Sequence, residues 1–300
     1  MNIVLSVLLL AGAISAPAAG KEILLIAGAP SHGAGQHEHN AGVLLLQQSL
    51  GAVKEAHVTV SLNGAWPENA ALEKADAIFL FSDGAGSHPI FKSNERIAAI
   101  DKAAARGAGL MFHHYATEPP EGKGRAEMLK WIGGYFELNY SVNPIWEANF
   151  ESLPKHPITR GVMPFRIRDE WYFNIRFPEM PRGFTSILSA TPPPEAFSDK
   201  DGPRLGNAGV RGKRGQPQVL AWAVQRADGG RGVGWTGGHY HRNLGDENFR
   251  RLVLNAILWI AKIEVPAGGV KFTAAESDLT KNLDPKPARG PGVSSSTPKP

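Results

Sequence analysis

The chain has 300 residues, of which 42% are hydrophobic and 20% are charged, and its formal net charge is only +4. This length and composition are typical of a globular protein that can bury a full core, as one large domain or as one domain with an insertion. No basic run interleaved with aromatic residues is present, which argues against a nucleic-acid partner. There is no cysteine, which excludes disulfides and thiol catalysis.

The first residues predict an export signal. Residues 3–14 form an apolar run, and "SAPAAG" follows it with Ala16 and Ala18 in an A-x-A cleavage pattern. The run is shorter than the roughly 20 residues that span a bilayer, so a membrane span is not expected. A buried first strand or helix is the alternative, but Lys21 already begins a separate strand-like run. We therefore expect residues 1–20 to be a cleaved signal and the mature protein to be periplasmic or secreted.

From residue 21 onwards, apolar strands alternate with helices. The predicted strands are "EILLIAG", "HVTV", "ADAIFLFSDG" and "AGLMFHH". The predicted helices cover residues 41–50, 93–106 and 125–132, with Ser93 as the cap of the second. This alternation predicts an α/β fold with a doubly wound, mostly parallel sheet that is covered on both faces.

The second half of the chain begins with a β-rich segment. Residues 143–223 contain the strand-like runs "PIWEANF", "FRIRDEWYFNI", "TSILSA" and "QVLAWAV", which predict a β-rich insertion or extension on the same core. "GRGVGWTGG" predicts a last strand, and Asp246 is expected to cap an apolar helix after it. The α/β domain is thus expected to cover residues 21–270, and residues 271–300, rich in Pro and Ser at the end, to be a disordered tail.

The histidines are concentrated in loops that follow the predicted parallel strands. These loops read "SHGAGQHEHN", "SDGAGSHP", "HHYATE" and "GHYHRN". Ligands of doubly wound sheets bind beyond the carboxyl ends of the strands. We therefore expect the four loops to converge on one crevice.

Two histidine pairs in these loops are candidate metal ligands. Residues two apart in an extended segment point to the same side, so His37 with His39 and His239 with His241 each form a plausible facing pair. Imidazoles outnumber carboxylates here, which favours Zn²⁺ over Mg²⁺ as the divalent metal. The alternative for each histidine is a hydrogen bond to loop backbone. No glycine-rich run has the spacing of a nucleotide site, so no nucleotide cofactor is expected.

Five further residues in these loops and in "DEWYFNIRF" are candidates for catalysis. Their side chains can transfer protons or hold a substrate oxygen, and they are His113, His114, Glu118, Glu170 and Arg242. Glu170 is flanked by aromatic residues, which could raise its pKa for proton transfer; an ion pair with Arg168 or Arg176 is an equal alternative. Arg242 could equally face solvent.

Several of these motifs together resemble a known family. "AGAPSHGAGQHEHNAG", "GLMFHHYATE", "DEWYFNIRF" and above all "GGRGVGWTGGHYHRNLGDENFRRLVLNAILW" are similar to the ThuA-like (trehalose-utilisation-like) domain, over residues 21–266. The resemblance implies the class I glutamine amidotransferase-like, flavodoxin-like fold. In amidotransferases a cysteine lies on the turn after a central strand; the similar place here is "FHHYA", so glutamine amidotransferase activity is excluded.

The resemblance also implies a role in carbohydrate catabolism, including routes through 3-keto sugars. With the histidine loops, it predicts an exported hydrolase or lyase, with a possible metal site, that acts on a sugar or a 3-keto-sugar derivative. The alternative is a non-catalytic carbohydrate-binding protein that keeps the crevice.

Overall fold

A computed structural model describes residues 20–178 and 183–286, and its centre is a seven-stranded sheet. From one edge to the other, with numbers in chain order, the strands are β2 (Ala56–Ser61), β1 (Lys21–Ala27), β3 (Ala77–Phe81), β4 (Gly109–His113), β9 (Arg231–Trp235), β8 (Gln218–Gln225) and β7 (Phe184–Ala190). The first five are parallel to one another, and β8 and β7 continue the sheet in antiparallel pairing. The predicted α/β fold with a mostly parallel sheet is confirmed.

Both faces of the sheet are covered, which explains why its central strands β3 and β4 are buried along their whole length. In β1, Ile23 and Leu25 pack into the core on one face, while Leu24 and Ile26 pack into the core on the other. The helices are α1 (His39–Leu50), α2 (Asn69–Lys74), α3 (Asn94–Ala105), α4 (Arg125–Ile132), α5 (Ala208–Arg211), α6 (Glu247–Ile260) and α7 (Glu276–Thr280). Buried side chains of α1 and α6 belong to the first core, and those of α2, α3 and α4 to the second.

The helix signals in the sequence are borne out at the main helices, whereas the short helices α2, α5 and α7 were not predicted. Ser93 accepts a hydrogen bond from the Arg96 backbone N–H and begins α3, and Asp246 accepts one from that of Phe249 and begins α6. The apolar stripe of α6 is buried along its length. No helix among residues 20–178 and 183–286 is both long and apolar enough to cross a bilayer.

The β-rich segment 143–223 divides between two sheets. Strands β5 (Ile145–Phe150) and β6 (Phe165–Glu170) pair only with each other, as an antiparallel sheet of two strands. The other two predicted strands are β7 and β8, which extend the central sheet beyond β9. The segment therefore both adds a small sheet and widens the main one.

The structure describes only part of the two terminal segments. Residues 1–19 of the expected export signal lie outside the described part of the chain. Of the expected tail, residues 271–286 are packed on the domain rather than free in solvent: they include α7, and Asp284 is buried. The expectation of disorder failed there because Asp284 and Lys286 find buried polar partners that composition does not reveal. Residues 287–300 lie outside the described residues.

Candidate metal centre at the carboxyl edge of the sheet

Four loops converge beyond the carboxyl ends of the parallel strands. They follow β1, β3, β4 and β9, the strands at the middle of the sheet. The first and the last of these loops are joined directly, because the His37 backbone N–H donates to the carbonyl oxygen of His239 and that of His241 donates to Gly35. The convergence is the one that the sequence predicts.

Three histidines from the loops after β1, β4 and β9 and one glutamate from β6 form a tight cluster. We call it the His₃Glu cluster, and its members are His37, His114, His239 and Glu170. The Nε2 atom of His37 lies 3.1 Å from Nε2 of His114 and 3.0 Å from Nδ1 of His239. The Oε2 atom of Glu170 lies 3.3 Å from each of His114 Nε2 and His239 Nδ1. All four residues are buried or nearly so.

The backbone delivers two of these ligands in an unusual conformation. His114 follows the last residue of β4 with φ 57°, and His37 has φ 44°. A non-glycine residue in the left-handed region costs on the order of 1–3 kcal/mol, and such residues concentrate at functional sites. The strained turns aim both imidazoles inward, towards the same point.

Hydrogen bonds fix which ring nitrogens carry protons. His114 Nδ1 lies 2.7 Å from the carbonyl oxygen of Thr236, which can only accept, so Nδ1 is the donor and Nε2 carries a lone pair. His37 Nδ1 lies 3.0 Å from a carboxylate oxygen of Asp83, which assigns a lone pair to its Nε2 as well. In the neutral rings the two lone pairs face each other, and this contact is favourable only when a proton or a metal cation lies between them.

The remaining ligands are held just as firmly. Asp169 accepts from the backbone N–H groups of Gly238 and His239 at 2.7 and 3.0 Å, and so anchors the loop that carries His239. Gly238 has φ 113°, and a Cβ there would lie 2.3 Å from His113 Nε2, so only glycine fits. Glu170 Oε1 accepts from the Asn143 side-chain amide at 3.1 Å, which leaves Oε2 to the cluster.

The environment keeps the His37 imidazole neutral and the Glu170 carboxylate charged. Burial, with His114 and other histidines nearby, pushes the pKa of His37 far below its usual range. Burial alone would raise the pKa of Glu170, but the imidazoles of His114 and His239, each 3.3 Å from its Oε2, outweigh burial and lower the pKa to about 2. The raised pKa expected for Glu170 from its aromatic neighbours is therefore wrong, because its histidine partners stabilise the carboxylate.

The donor set matches what Zn²⁺ requires. Metal–ligand distances of about 2.0–2.2 Å in a tetrahedron correspond to ligand–ligand distances of about 3.3–3.6 Å. Four of the six distances between donor atoms are 3.0–3.3 Å, at or slightly below the lower end of that range. Three imidazoles and one carboxylate are donors suited to zinc or another first-row ion rather than to Mg²⁺. Asp83 and Thr236 would orient the imidazoles from behind.

Three of the predicted histidines lie outside this cluster. His39 begins α1 and donates through Nδ1 to the carbonyl oxygen of Ala29, with Nε2 3.7 Å from Asp83. His113 points into the core, where its ring packs against Phe81 and Trp235. His241 begins a 3-10 helix and is buried behind the loop. The expected facing pairs fail because neither segment is extended: a helical turn begins at His39 and at His241.

Two predicted catalytic residues are also placed elsewhere. Glu118 forms an ion pair with Arg204, whose Nη2 also lies 3.2 Å from the Tyr115 hydroxyl. Burial raises the pKa of Glu118, and Arg204 opposes this shift. Arg242 is exposed beside α7 rather than at the cluster. A substrate contact for Arg242 is not supported, because the 3-10 turn at His241 carries it to the outer surface.

The structure adds residues that were not assigned from the sequence. Asp83 orients His37, and the Tyr172 hydroxyl lies 3.2 Å from His114 Nε2. The His32 ring stacks on that of His37 at 3.6 Å and is 36% exposed. The position of Tyr172, two residues after Glu170, could have indicated that both side chains face the same side. No sequence signal pointed to Arg204, because its neighbours in space are 86 and 89 residues away in sequence.

The fold and the cluster together define an α/β protein with a histidine–carboxylate centre at the carboxyl edge of a parallel sheet. The chain belongs to the ThuA (trehalose utilisation) family, whose sequence model matches residues 24–260. A solved structure of a ThuA-like protein from Bacteroides uniformis is similar, with a TM-score of 0.55 and 16% identity, covering 83% of this chain and 95% of that one. At this identity the likeness concerns the fold. A search of curated proteins gave no significant match.

Proposed function

We propose that this protein is a metal-dependent hydrolase or lyase of carbohydrate catabolism that acts on a sugar or a 3-keto-sugar derivative. The observation that carries the proposal is the His₃Glu cluster, in which three imidazole nitrogens and a carboxylate oxygen converge within 3.0–3.3 Å of their neighbours. A bound divalent ion would satisfy these donors at once. It would supply a Lewis acid that polarises a carbonyl or hydroxyl oxygen of the sugar.

The side chains around the cluster have separate roles in this proposal. Asp83 and Thr236 hold the His37 and His114 rings in their metal-binding tautomers. Substrate approaches from the side of His32, where the cluster is closest to solvent. Arg204, fixed by Glu118 and Tyr115, lies next to this entrance and offers its remaining N–H groups to sugar hydroxyls.

Family membership and charge support the proposed substrate class. With a divalent ion, the charges of Asp83, Glu118, Glu170 and Arg204 sum to zero, which suits an uncharged sugar better than an anion. Glutamine hydrolysis is excluded, because the sequence contains no cysteine and His114 occupies the turn after β4. Family membership in trehalose utilisation favours a glucose-derived substrate.

The test combines metal analysis with turnover. We expect about one equivalent of Zn²⁺ per chain, loss of activity on glucosides or their 3-keto derivatives after chelation, and recovery with added Zn²⁺. His114→Ala should lose metal and activity together, whereas His57→Ala, a change at an exposed histidine of β2, should keep both. Tight sugar binding that is indifferent to chelators and to loss of His114 would instead identify a non-catalytic carbohydrate-binding protein.

We also propose that the protein acts outside the cytoplasm. The apolar run and the A-x-A pattern support a cleaved signal, with the mature chain beginning between about Ala19 and Lys21. Mass analysis of the N-terminus from the native host tests this, and an intact Met1 on cytoplasmic protein would contradict it.

A further inference from the structure

Residues that follow the ThuA-family match in the chain pack against a loop of the candidate metal centre. The match ends at residue 260, yet Asp284 and Lys286 lie against residues 31–40, the loop that carries His37 into the cluster. We call residues 284–286 the clasp and residues 31–40 the site loop. The contacts between the clasp and the site loop are buried or partly buried.

Asp284 supplies the cap that α1 lacks in its own sequence. The residue before α1 is Glu38, whose side chain makes no capping hydrogen bond. The Asp284 carboxylate instead accepts from the backbone N–H groups of His39 and Asn40 at 2.9 and 3.2 Å. A carboxylate in this place satisfies unpaired donors and interacts favourably with the helix dipole. Glu38 completes the connection by accepting from the backbone N–H groups of Asp284 and Gly35, at 2.6 and 2.7 Å.

Lys286 binds the backbone of the site loop directly. Its Nζ donates to the carbonyl oxygens of Gln36, Ser31 and His37, at 2.7, 2.9 and 3.2 Å. It also lies 3.4 Å from a carboxylate oxygen of Glu38. One ammonium thereby joins both ends of a loop in which His32 and His37 have φ of 58° and 44°. Strained residues of this kind persist only where the surroundings hold them.

We propose that Asp284 and Lys286 are positioning residues that hold the site loop in its strained conformation and so place His37 for metal binding. The metal part rests on the proposed function; the restraint on the loop does not. The clasp acts mainly through backbone groups of the loop, with the Glu38 carboxylate as a side-chain partner, and requires a carboxylate at 284 and a cation at 286. It would also make the segment after the family domain necessary for a complete centre.

The experiment compares Lys286→Gln and Asp284→Ala with Lys281→Gln in the full-length protein. Lys281 is the matched control, since it lies in the same segment but pairs with Asp278 rather than with the site loop. Amide exchange of residues 35–40 is measured without metal, and the Kd for Zn²⁺ is measured by titration. We expect local exchange to become at least about tenfold faster and the Kd for Zn²⁺ to rise about 10- to 100-fold in both clasp variants. Lys281→Gln should match the wild type, and Lys286→Arg should recover part of both effects.

The outcomes separate this inference from the proposed function. Faster local exchange in a protein that binds no Zn²⁺ would leave the clasp standing and remove the metal centre. Unchanged exchange and unchanged Kd in Lys286→Gln and Asp284→Ala would overturn the clasp and leave the metal centre intact. Exchange that rises throughout the domain, rather than in residues 35–40, would also overturn it, because it would show a general loss of stability.

Discussion

The Nε2 atoms of His37 and His114 face each other at 3.1 Å although 77 residues separate them in the chain. Each ring donates its other nitrogen to a fixed acceptor, the Asp83 carboxylate in one case and the Thr236 carbonyl in the other. Neither Nε2 therefore has a proton to offer the other while both rings are neutral. A buried contact of two acceptors is unfavourable by itself, so it indicates a site built for a cation.

The first prediction follows from this contact. Zn²⁺ at about 100 times its Kd should raise the free energy of unfolding of the wild type by about 2.7 kcal/mol. His114→Ala should show almost none of this increase, because one of the converging donors is gone. Thermal unfolding with Zn²⁺ and with a chelator measures the difference within each protein, so the variant's own baseline does not matter. An equal Zn²⁺ increment in both proteins would contradict the assignment.

The second prediction concerns the group behind His37. Asp83→Asn should weaken Zn²⁺ binding about 10- to 100-fold, since the amide no longer fixes the Nδ1–H tautomer or raises the basicity of Nε2. Glu22→Gln is the control, because the Glu22 carboxylate lies 3.3 Å from Nδ1 of the exposed His57, away from the centre. Calorimetric titration measures both. Equal affinity in Asp83→Asn and Glu22→Gln would show that Asp83 does not support a ligand.

The sequence predicts where in the fold the centre lies. The alternation of strands and helices placed four histidine-rich loops at one edge of the sheet, because parallel strands all end there. The loops do meet, and His37, His114, Glu170 and His239 do come together. The fold and the family were predicted correctly, since the apolar runs and the final motif each carry a strong local signal.

The choice of histidine within each pair could not be predicted. An extended backbone would have turned His37 and His39 to one side, but the chain takes a left-handed turn at His37 and begins α1 at His39. A 3-10 helix does the same at His241. These turns depend on contacts made by distant residues, such as Asp284 and Asp169, which no local pattern contains. Arg204 was missed for the same reason.

The third prediction concerns Arg204 as a substrate contact. Arg204→Lys should raise KM about tenfold, equivalent to about 1.4 kcal/mol, with a small change in kcat and unchanged metal content. Lysine keeps the charge beside the buried Glu118 but lacks the further N–H groups that Arg204 offers to sugar hydroxyls. Arg214→Lys, at an exposed pair with Asp199, should leave KM unchanged. A loss in kcat with constant KM would assign Arg204 a different role.

The fourth prediction is a pH dependence of stability. His88 is buried, its Nε2–H donates to the Ala116 carbonyl at 3.0 Å, and burial lowers its pKa to about 3 against the partial opposition of that hydrogen bond. Between about pH 6.5 and 3 the unfolded chain binds a proton at His88 that the folded chain does not, so stability falls as pH falls, by up to about 1.4 kcal/mol per unit from this group.

His88→Gln keeps a neutral donor in the same place and should remove this one-proton contribution. Denaturant unfolding at several pH values should therefore give a shallower slope for the variant than for the wild type below about pH 6.5, and equal slopes above it. Identical slopes throughout would mean that His88 is protonated in the folded protein.

The last prediction separates His239 from His241, two histidines only one residue apart. His239 contributes Nδ1 to the cluster, 3.0 Å from His37 and 3.3 Å from Glu170. His241 is buried behind the loop, and burial lowers its pKa, with Glu38 and Asp284 opposing. His239→Ala should therefore abolish Zn²⁺ uptake, because the centre loses a ligand. His241→Ala should retain Zn²⁺ but lower the free energy of unfolding by about 1–3 kcal/mol, because it leaves a cavity.

Metal analysis and denaturant unfolding of both variants decide the question. Loss of Zn²⁺ in His241→Ala with retention in His239→Ala would reverse the two roles and move the centre to the other side of the loop.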